Sequence, residues 1–400
     1  MILKDTLGKI VDFQRKELRK RECGVERELF KLLDMKCPHA LIISGIRRCG
    51  KSTLLRQITK KLDNFYYFNF DDQRVSGFEV SDFEKLDEVF HELNGESNFY
   101  LFDEIQNVSE WERFVRKMQD SKKKFVITGS NASLLSRELG TKLTGRHLIN
   151  ELFPFSYYEM LKLLNKKPSL SSFEVYFKNG GFPEYLRYDN EAILQEVFND
   201  IILRDIVVRY GLRNTKIVKE LAIYLLSNAG KEFSYSKLRK LFDLGSTNTV
   251  ISYISHYEDS YLIFTVPRFS YSYKKQLVNP KKVYAVDVGL TKANSMSFSQ
   301  DNGRILENLV FLHLKRKYKE VYYFKNKNEC DFLVKEKGRI TQAIQVCYKL
   351  DEDNKEREIN GLKEAMNNFQ LKKGLIITFN QDDTFKNIQA VSAWKWMELY

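Results

Sequence analysis

The chain has 400 residues, 43% hydrophobic and 30% charged, with a formal net charge of +12, enough for two to four domains of ordinary globular composition. No apolar stretch approaches the ~20 residues of a membrane span, and Met1-Ile2-Leu3-Lys4-Asp5 lacks the apolar core of a secretory signal. The five cysteines, at 23, 37, 49, 330 and 347, show no paired spacing, which argues against a disulfide framework or a structural zinc site and for a reducing, cytoplasmic compartment.

Ala40–Ser44 is a short apolar run of the kind that forms a buried parallel strand. It leads into Gly45-Ile46-Arg47-Arg48-Cys49-Gly50-Lys51-Ser52-Thr53, a full match to the phosphate-binding pattern G-x-x-x-x-G-K-[ST], and then into apolar residues at helical spacing from Leu54 to Leu62. Strand, glycine loop and helix are the context this motif needs. The glycines let backbone N–H groups close round a phosphate. Lys51 is expected to reach the β- and γ-phosphates and Ser52 to ligate Mg²⁺, with Gly45, Arg48, Gly50 and Thr53 completing the nucleotide-binding loop. Cys49, at a helix start beside Arg48 and Lys51, is expected to have a lowered thiol pKa.

A second apolar strand, Asn98–Phe102, ends in Asp103-Glu104. Asp103 is placed to hold Mg²⁺ and Glu104 to polarise the attacking water. A third, Lys124–Thr128, runs into Gly129-Ser130-Asn131, where Asn131 or Ser130 could touch a γ-phosphate or cap a turn. Arg146, in Leu143-Thr144-Gly145-Arg146-His147, could reach a γ-phosphate of its own or a neighbouring subunit, or simply lie on the surface. Taken in order, GIRRCGKSTLL, YLFDEIQ, ITGSNASLLS, LTGRHL and LFPFSYYE resemble the AAA-type ATPases of prokaryotes that carry a C-terminal domain of unknown function. The likeness covers about the first 160 residues, with Phe102 where that family usually has leucine. It implies ATP as the nucleotide, and no N-K-x-D guanine-reading motif is present.

From 156 to 215 the pattern is helical, broken at Gly180-Gly181-Phe182-Pro183, and a lid or linker is expected. Ile202–Tyr210 resembles the family's linker helix, and Arg204 or Arg209 could touch phosphate or form salt bridges. Residues 211–290 hold 12 basic against 6 acidic side chains. Within them, a helix ending near Phe242, a turn at Asp243-Leu244-Gly245, a helix from Ser246 or Thr247, a strand at Tyr261–Val266, a basic aromatic tip at 271–276 and a strand at Val283–Asp287 outline a winged helix. The second helix offers Ser246, Thr247, Asn248 and Ser252 but no arginine, so sequence-specific readout of DNA is weak. Non-specific contact through Lys274, Lys275, Lys281 and Lys282 is expected, against the alternative of a purely structural module.

Residues 291–400 are similar to the PD-(D/E)XK nuclease fold, in which a helix Glu, a strand Asp and an E-x-K strand bind a divalent metal. By position, Glu307 and Asp331 match the first two acids, while Gln345 stands for the strand acid and Cys347 for the lysine. Competent cleavage is therefore doubtful, although Lys349 could substitute by facing the same side of the strand. The expected fold is α/β: a P-loop NTPase (RecA/AAA-like) parallel-sheet core at 1–155, a helical lid at 156–215, a winged helix at 216–290 and a restriction-endonuclease-like domain at 291–400. The leading functional expectation is a Mg²⁺-dependent ATPase whose nucleotide state repositions the later modules against DNA. The alternatives are an ATP-gated protein–protein switch and an ATP-licensed endonuclease. Self-association is left open.

Overall fold

The computed structural model describes residues 2–131, 145–295 and 301–399, grouped as Met1–Phe153 with Asp259–Tyr261 and as Pro154–Glu258 with Leu262–Tyr400. Residues 132–136 of the ITGSNASLLS string, and Leu143 and Thr144, lie outside the described residues.

In the first unit, β1 (Ala40–Ser44), β2 (Tyr66–Asn69), β3 (Phe99–Asp103), β4 (Lys124–Gly129) and β5 (His147–Glu151) form a parallel sheet in the order β2-β3-β4-β1-β5. β1 is buried at every position, as an apolar strand covered on both faces should be. Because β4 lies between β1 and β3, the ends of these strands gather the glycine loop, Ser130-Asn131 and Asp103-Glu104 at one edge, where parallel sheets bind ligands. One face carries an aromatic core that includes Tyr66, Phe68, Phe83, Phe90, Tyr100, Phe102 and Phe114. Tyr66 stacks on Phe90 at 4.9 Å and Phe83 on Phe114 at 4.7 Å, pairs worth ~0.5–1.5 kcal/mol each beyond their buried area. Phe102 belongs to this cluster, so the departure from leucine is a matter of packing. The helix Lys4–Lys20 buries Leu7, Ile10 and Val11, at helical spacing, in the same core.

The second unit begins with the helices Tyr157–Leu164, Leu170–Asn179, Pro183–Tyr188 and Glu191–Asp200, followed by a π-helix at Ile201–Val208. The glycine break has a structural cause. A Cβ on Gly181 would stand 2.1 Å from the Phe155 carbonyl oxygen. The Gly181 N–H donates to Asp287 Oδ2 at 2.6 Å, while Asp287 Oδ1 accepts from Leu290 N and caps the helix Val288–Asn294. Arg204 and Arg209 are paired with Asp200 and Asp205 at 3.3 and 3.9 Å.

Next come the helix Thr215–Ser227, β6 (Glu232–Phe233), the helices Tyr235–Leu241 and Thr247–Asp259, then β7 (Ile263–Pro267) and β8 (Lys281–Ala285), with the strands antiparallel in the order β6-β8-β7. The stretch expected as a tip instead enters a helix, Tyr273–Val278, capped by Ser272 Oγ, which accepts from Lys275 N. The remainder is a six-stranded mixed sheet of β9 (Glu320–Lys325), β10 (Glu329–Glu336), β11 (Arg339–Cys347), β12 (Gly374–Thr378), β13 (Asp383–Phe385) and β14 (Ile388–Ser392), ordered β13-β14-β12-β11-β10-β9. The helices Asn302–Lys317 and Glu352–Phe369 pack against it. Among the described residues no helix is long and apolar enough to cross a membrane.

Candidate functional site

The glycine loop is shaped by contacts that leave no room for side chains. A Cβ on Gly45 would stand 2.0 Å from the Leu152 carbonyl oxygen, and Gly50 enters the helix Lys51–Thr59 at φ +102°, a region that favours glycine. The Leu54 N–H bonds back to Gly50 O at 3.0 Å, so the helix starts at once and presents its N-terminus to the loop. Lys51 is buried. Its Nζ donates to Gly45 O at 3.0 Å and Ile46 O at 3.2 Å, and lies 3.4 Å from Glu104 Oε1. Arg48 is exposed, Ser52 is exposed, and Thr53 Oγ1 accepts from Arg56 Nη2 at 2.8 Å.

Asp103, at the end of β3, is buried. One carboxylate oxygen accepts from Thr128 Oγ1 and the other from Tyr67 OH at 3.3 Å, and the Ser52 hydroxyl also bonds to it. Burial pushes its proton affinity up, the Glu104 charge adds to that, and Thr128, Ser52 and Lys51 oppose it. The next residue, Glu104, sits at φ +52°, uncommon for a side-chain-bearing residue, and its N–H donates to Thr128 Oγ1 at 3.0 Å. Burial would raise the Glu104 carboxyl, but Lys51, Gln106 and Arg47 outweigh it and hold the group below its ordinary value. Glu104 is thus kept ionised. A hydroxyl and a carboxylate side by side, Ser52 and Asp103, are the hard oxygen donors that suit Mg²⁺, and the N-terminus of the helix Lys51–Thr59 suits a phosphate.

Ser130 and Asn131 are buried at the end of β4. Gln106 Nε2 donates to Glu104 and, at 3.3 Å, to Ser130 Oγ, tying the water-polarising acid to the neighbouring strand. Gln106 and Arg27 had no role in the sequence reading. Arg27 is buried, and its Nη1 and Nη2 donate at 2.6 Å each to Cys49 O and Phe153 O, bracing the loop from behind.

One expectation fails here, and one of the alternatives for Arg146 is removed. Cys49 is fully buried, and that burial pushes its thiol up despite Lys51 and Arg27. Arg146 precedes β5, whose His147 pairs with Ala40 at the start of β1. It therefore lies a strand's length, roughly 16 Å, from the glycine loop and pairs with Asp120. A role at its own chain's nucleotide is excluded by that placement.

The acids expected in the second unit do come together, but around an unexpected partner. Lys282 is buried rather than exposed to a nucleic acid. Its Nζ lies 2.9 Å from Glu307 Oε1, 2.8 Å from Glu329 Oε1 and 3.0 Å from Asp331 Oδ1. Burial disfavours the ammonium, yet Tyr284, Asp331, Glu307 and Glu329 hold its pKa well above the usual value. Burial in turn pushes Glu307 up to about 7 against the pull of Lys282. Gln345 does not face Lys282. Its Oε1 accepts from Asp331 N at 3.3 Å and its Nε2 donates to Glu358 Oε2 at 2.7 Å. Cys347 donates to Lys349 O, and Lys349 is exposed beyond the end of β11, so alternation along the strand does not bring it in. Among the described residues no group of three or more His, Cys, Asp or Glu is arranged to hold a metal ion.

Three family descriptions match the chain: an AAA domain over residues 38–161, and two domains of unknown function, DUF8612 over 170–301 and DUF4143 over 302–396. An uncharacterized protein of Methanocaldococcus jannaschii is 36% identical over 439 residues, covering 100% of this chain and 97% of its own length. Another, of Haemophilus influenzae, is 30% identical over 379 residues, covering 89% and 93%. Among solved structures, the Walker-type ATPase of Pyrococcus abyssi aligns over 67% of this chain and 95% of its own, at 17% identity and a TM-score of 0.44.

Proposed function

The chain belongs to the AAA-domain family of these archaeal and bacterial relatives, and from that premise we propose that it is a Mg²⁺-dependent ATPase whose nucleotide state repositions a winged-helix and nuclease-like module acting on DNA. The observation that carries the enzymatic part is Glu104, held ionised between Lys51 and Gln106 beside the Asp103 and Ser52 pair. Mg²⁺ held by Ser52 and Asp103 would supply charge neutralisation at the phosphates. Lys51 would exchange its loop carbonyls for the β- and γ-phosphates, with the loop from Gly45 to Thr53, Arg48 included, closing round them. Glu104 takes the proton of the attacking water, and Asn131 or Ser130 orients that water. Any role of Arg146 in turnover falls on a neighbouring subunit's nucleotide.

The winged-helix reading is supported by the order helix, short strand, two helices, then β7 and β8. Lys274 and Lys275 are exposed beside it and would give salt-dependent, sequence-independent contact with DNA. A second reading has its own observation. Tyr271 and Tyr273 are 87% and 73% exposed, and Leu277 and Val278 are 52% and 74% exposed, an apolar display that favours a protein partner. Lys282 among the acids counts against cleavage.

ATP hydrolysis with Mg²⁺, measured with and without duplex DNA over a range of salt, separates the readings. Stimulation by DNA that fades with salt supports the DNA reading. Hydrolysis indifferent to DNA moves the module to a protein partner. Loss of nucleotide binding in Lys51→Ala is expected on both.

A further inference from the structure

The nuclease-like reading implies a divalent metal among Glu307, Asp331 and the residue at 345, and the residues present do not fit one. We infer that Lys282 is the resident cation of this cluster, so that the native chain holds no divalent ion there. The inference deepens the nuclease-like reading of the second unit and is independent of the ATPase reading.

Three carboxylates from two elements converge on one ammonium. Glu307 comes from the helix Asn302–Lys317, and Glu329 and Asp331, two apart on β10, point to the same side of the sheet. An ammonium has three N–H donors; Lys282 donates to Glu307 Oε1 and Asp331 Oδ1 at 2.9 and 3.0 Å and forms an ion pair with Glu329 Oε1 at 2.8 Å. The stem is fixed as well. Lys282 lies on the central strand of the β6-β8-β7 sheet, paired with Glu232 on one side and Val266 on the other. Its side chain is 4% exposed.

Further polar groups round the cage are committed elsewhere. Asp331 Oδ2 accepts from Val346 N at 3.0 Å, Glu329 Oε2 lies 3.3 Å from Lys325 Nζ, and the Gln345 amide bridges Asp331 N and Glu358, while Glu307 Oε1, already on Lys282, also accepts from Tyr284 OH at 2.6 Å. A divalent ion needs several oxygens at about 2.0–2.6 Å, in the space the Lys282 Nζ already fills. The surrounding cleft of about 490 Å³ is lined by Arg304, Lys327 and Arg357 and by Asp301 and Glu358, with Arg304 paired to Asp301 and Arg357 to Glu358. The cage suits an ammonium.

The test is a Mn²⁺ titration of the nucleotide-free full chain, followed by electron paramagnetic resonance and thermal melting, in wild type, Asp331→Asn, Lys282→Met and the double variant. Wild type and Asp331→Asn are expected to bind Mn²⁺ alike. Lys282→Met is expected to gain one further site, at least ~10-fold tighter than any in wild type, with a Mn²⁺-dependent rise in melting temperature that the double variant loses. Wild-type Mn²⁺ binding that disappears in Asp331→Asn overturns the inference, as does a folded Lys282→Met that gains no site. Should Lys282→Met fail to fold even with Mn²⁺, the comparison of wild type with Asp331→Asn decides the matter alone. Plasmid nicking run in parallel separates the two readings: Asp331-dependent Mn²⁺ binding without nicking overturns the Lys282 assignment and also argues against cleavage, whereas binding with nicking overturns Lys282 alone.

Discussion

Arg27 spans two carbonyl oxygens, of Cys49 and Phe153, donating to each at 2.6 Å. Hydrogen bonds from a charged donor are worth ~1.5–3 kcal/mol each, and stranding a buried acceptor costs about as much as the bond gave. Arg27→Met should therefore lower the melting temperature by on the order of 10 °C and weaken nucleotide binding at least ~10-fold. Arg27→Lys should not rescue it, because one ammonium cannot replace a planar fork reaching two sites; calorimetry and nucleotide titration check both. Cys49 leads to a second expectation. Peptide-level mass spectrometry should find Cys23 and Cys37, which are half-buried, modified by a thiol reagent well before Cys49, with nucleotide making no difference to Cys49. At this scale the residues legible in the sequence are those that a local motif marks by its own spacing, such as Lys51, Ser52 and Asp103. Arg27 acts on carbonyls 22 and 126 residues away, and Lys282 meets acids 25 and 49 residues away. No local spacing announces such pairings.

The helix Asn302–Lys317 carries a liability of its own. His313 packs its ring 4.6 Å from that of Trp396, and its Nε2 has no hydrogen-bond partner among the described residues. Burial, then the charges of Lys317 and Arg316, lower its pKa to about 3. The unfolded chain takes up a proton near pH 6.5 that the folded helix refuses, so stability is complete above that pH and is lost as pH falls towards 3, by on the order of 5 kcal/mol over the whole range. Denaturant melts at pH 7.5 and pH 5 should show the first part of this loss in wild type and a flatter dependence in His313→Leu, whose stability at pH 7.5 should be equal or higher. Element identities followed from periodicity wherever an apolar stripe or run marked them, as in β1, β3, β4 and the helix at 302–317. The helix Tyr273–Val278 was not legible, because its composition of Tyr, Lys and Gln describes a surface and leaves the backbone undecided. The π-helix at Ile201–Val208 has the same apolar spacing as an ordinary helix, and the change to i→i+5 bonding leaves no mark in the sequence.

For the whole molecule, the order of motifs along the chain implied a parallel core, and the strand order β2-β3-β4-β1-β5 explains why motifs 45–53, 103–104 and 130–131 meet. Arg146 shows the limit of that logic, since its nearness in sequence to the sensor strand said nothing about which end of the sheet it would occupy. The central claim is that the site turns over ATP through Glu104. It is tested most directly by Mg²⁺-dependent ATP hydrolysis of wild type beside Glu104→Gln, with nucleotide affinity measured on the same samples. The account predicts ATP binding by the variant within ~3-fold of wild type and hydrolysis reduced at least ~100-fold. Hydrolysis by Glu104→Gln at the wild-type rate, or binding without turnover in wild type, would contradict it.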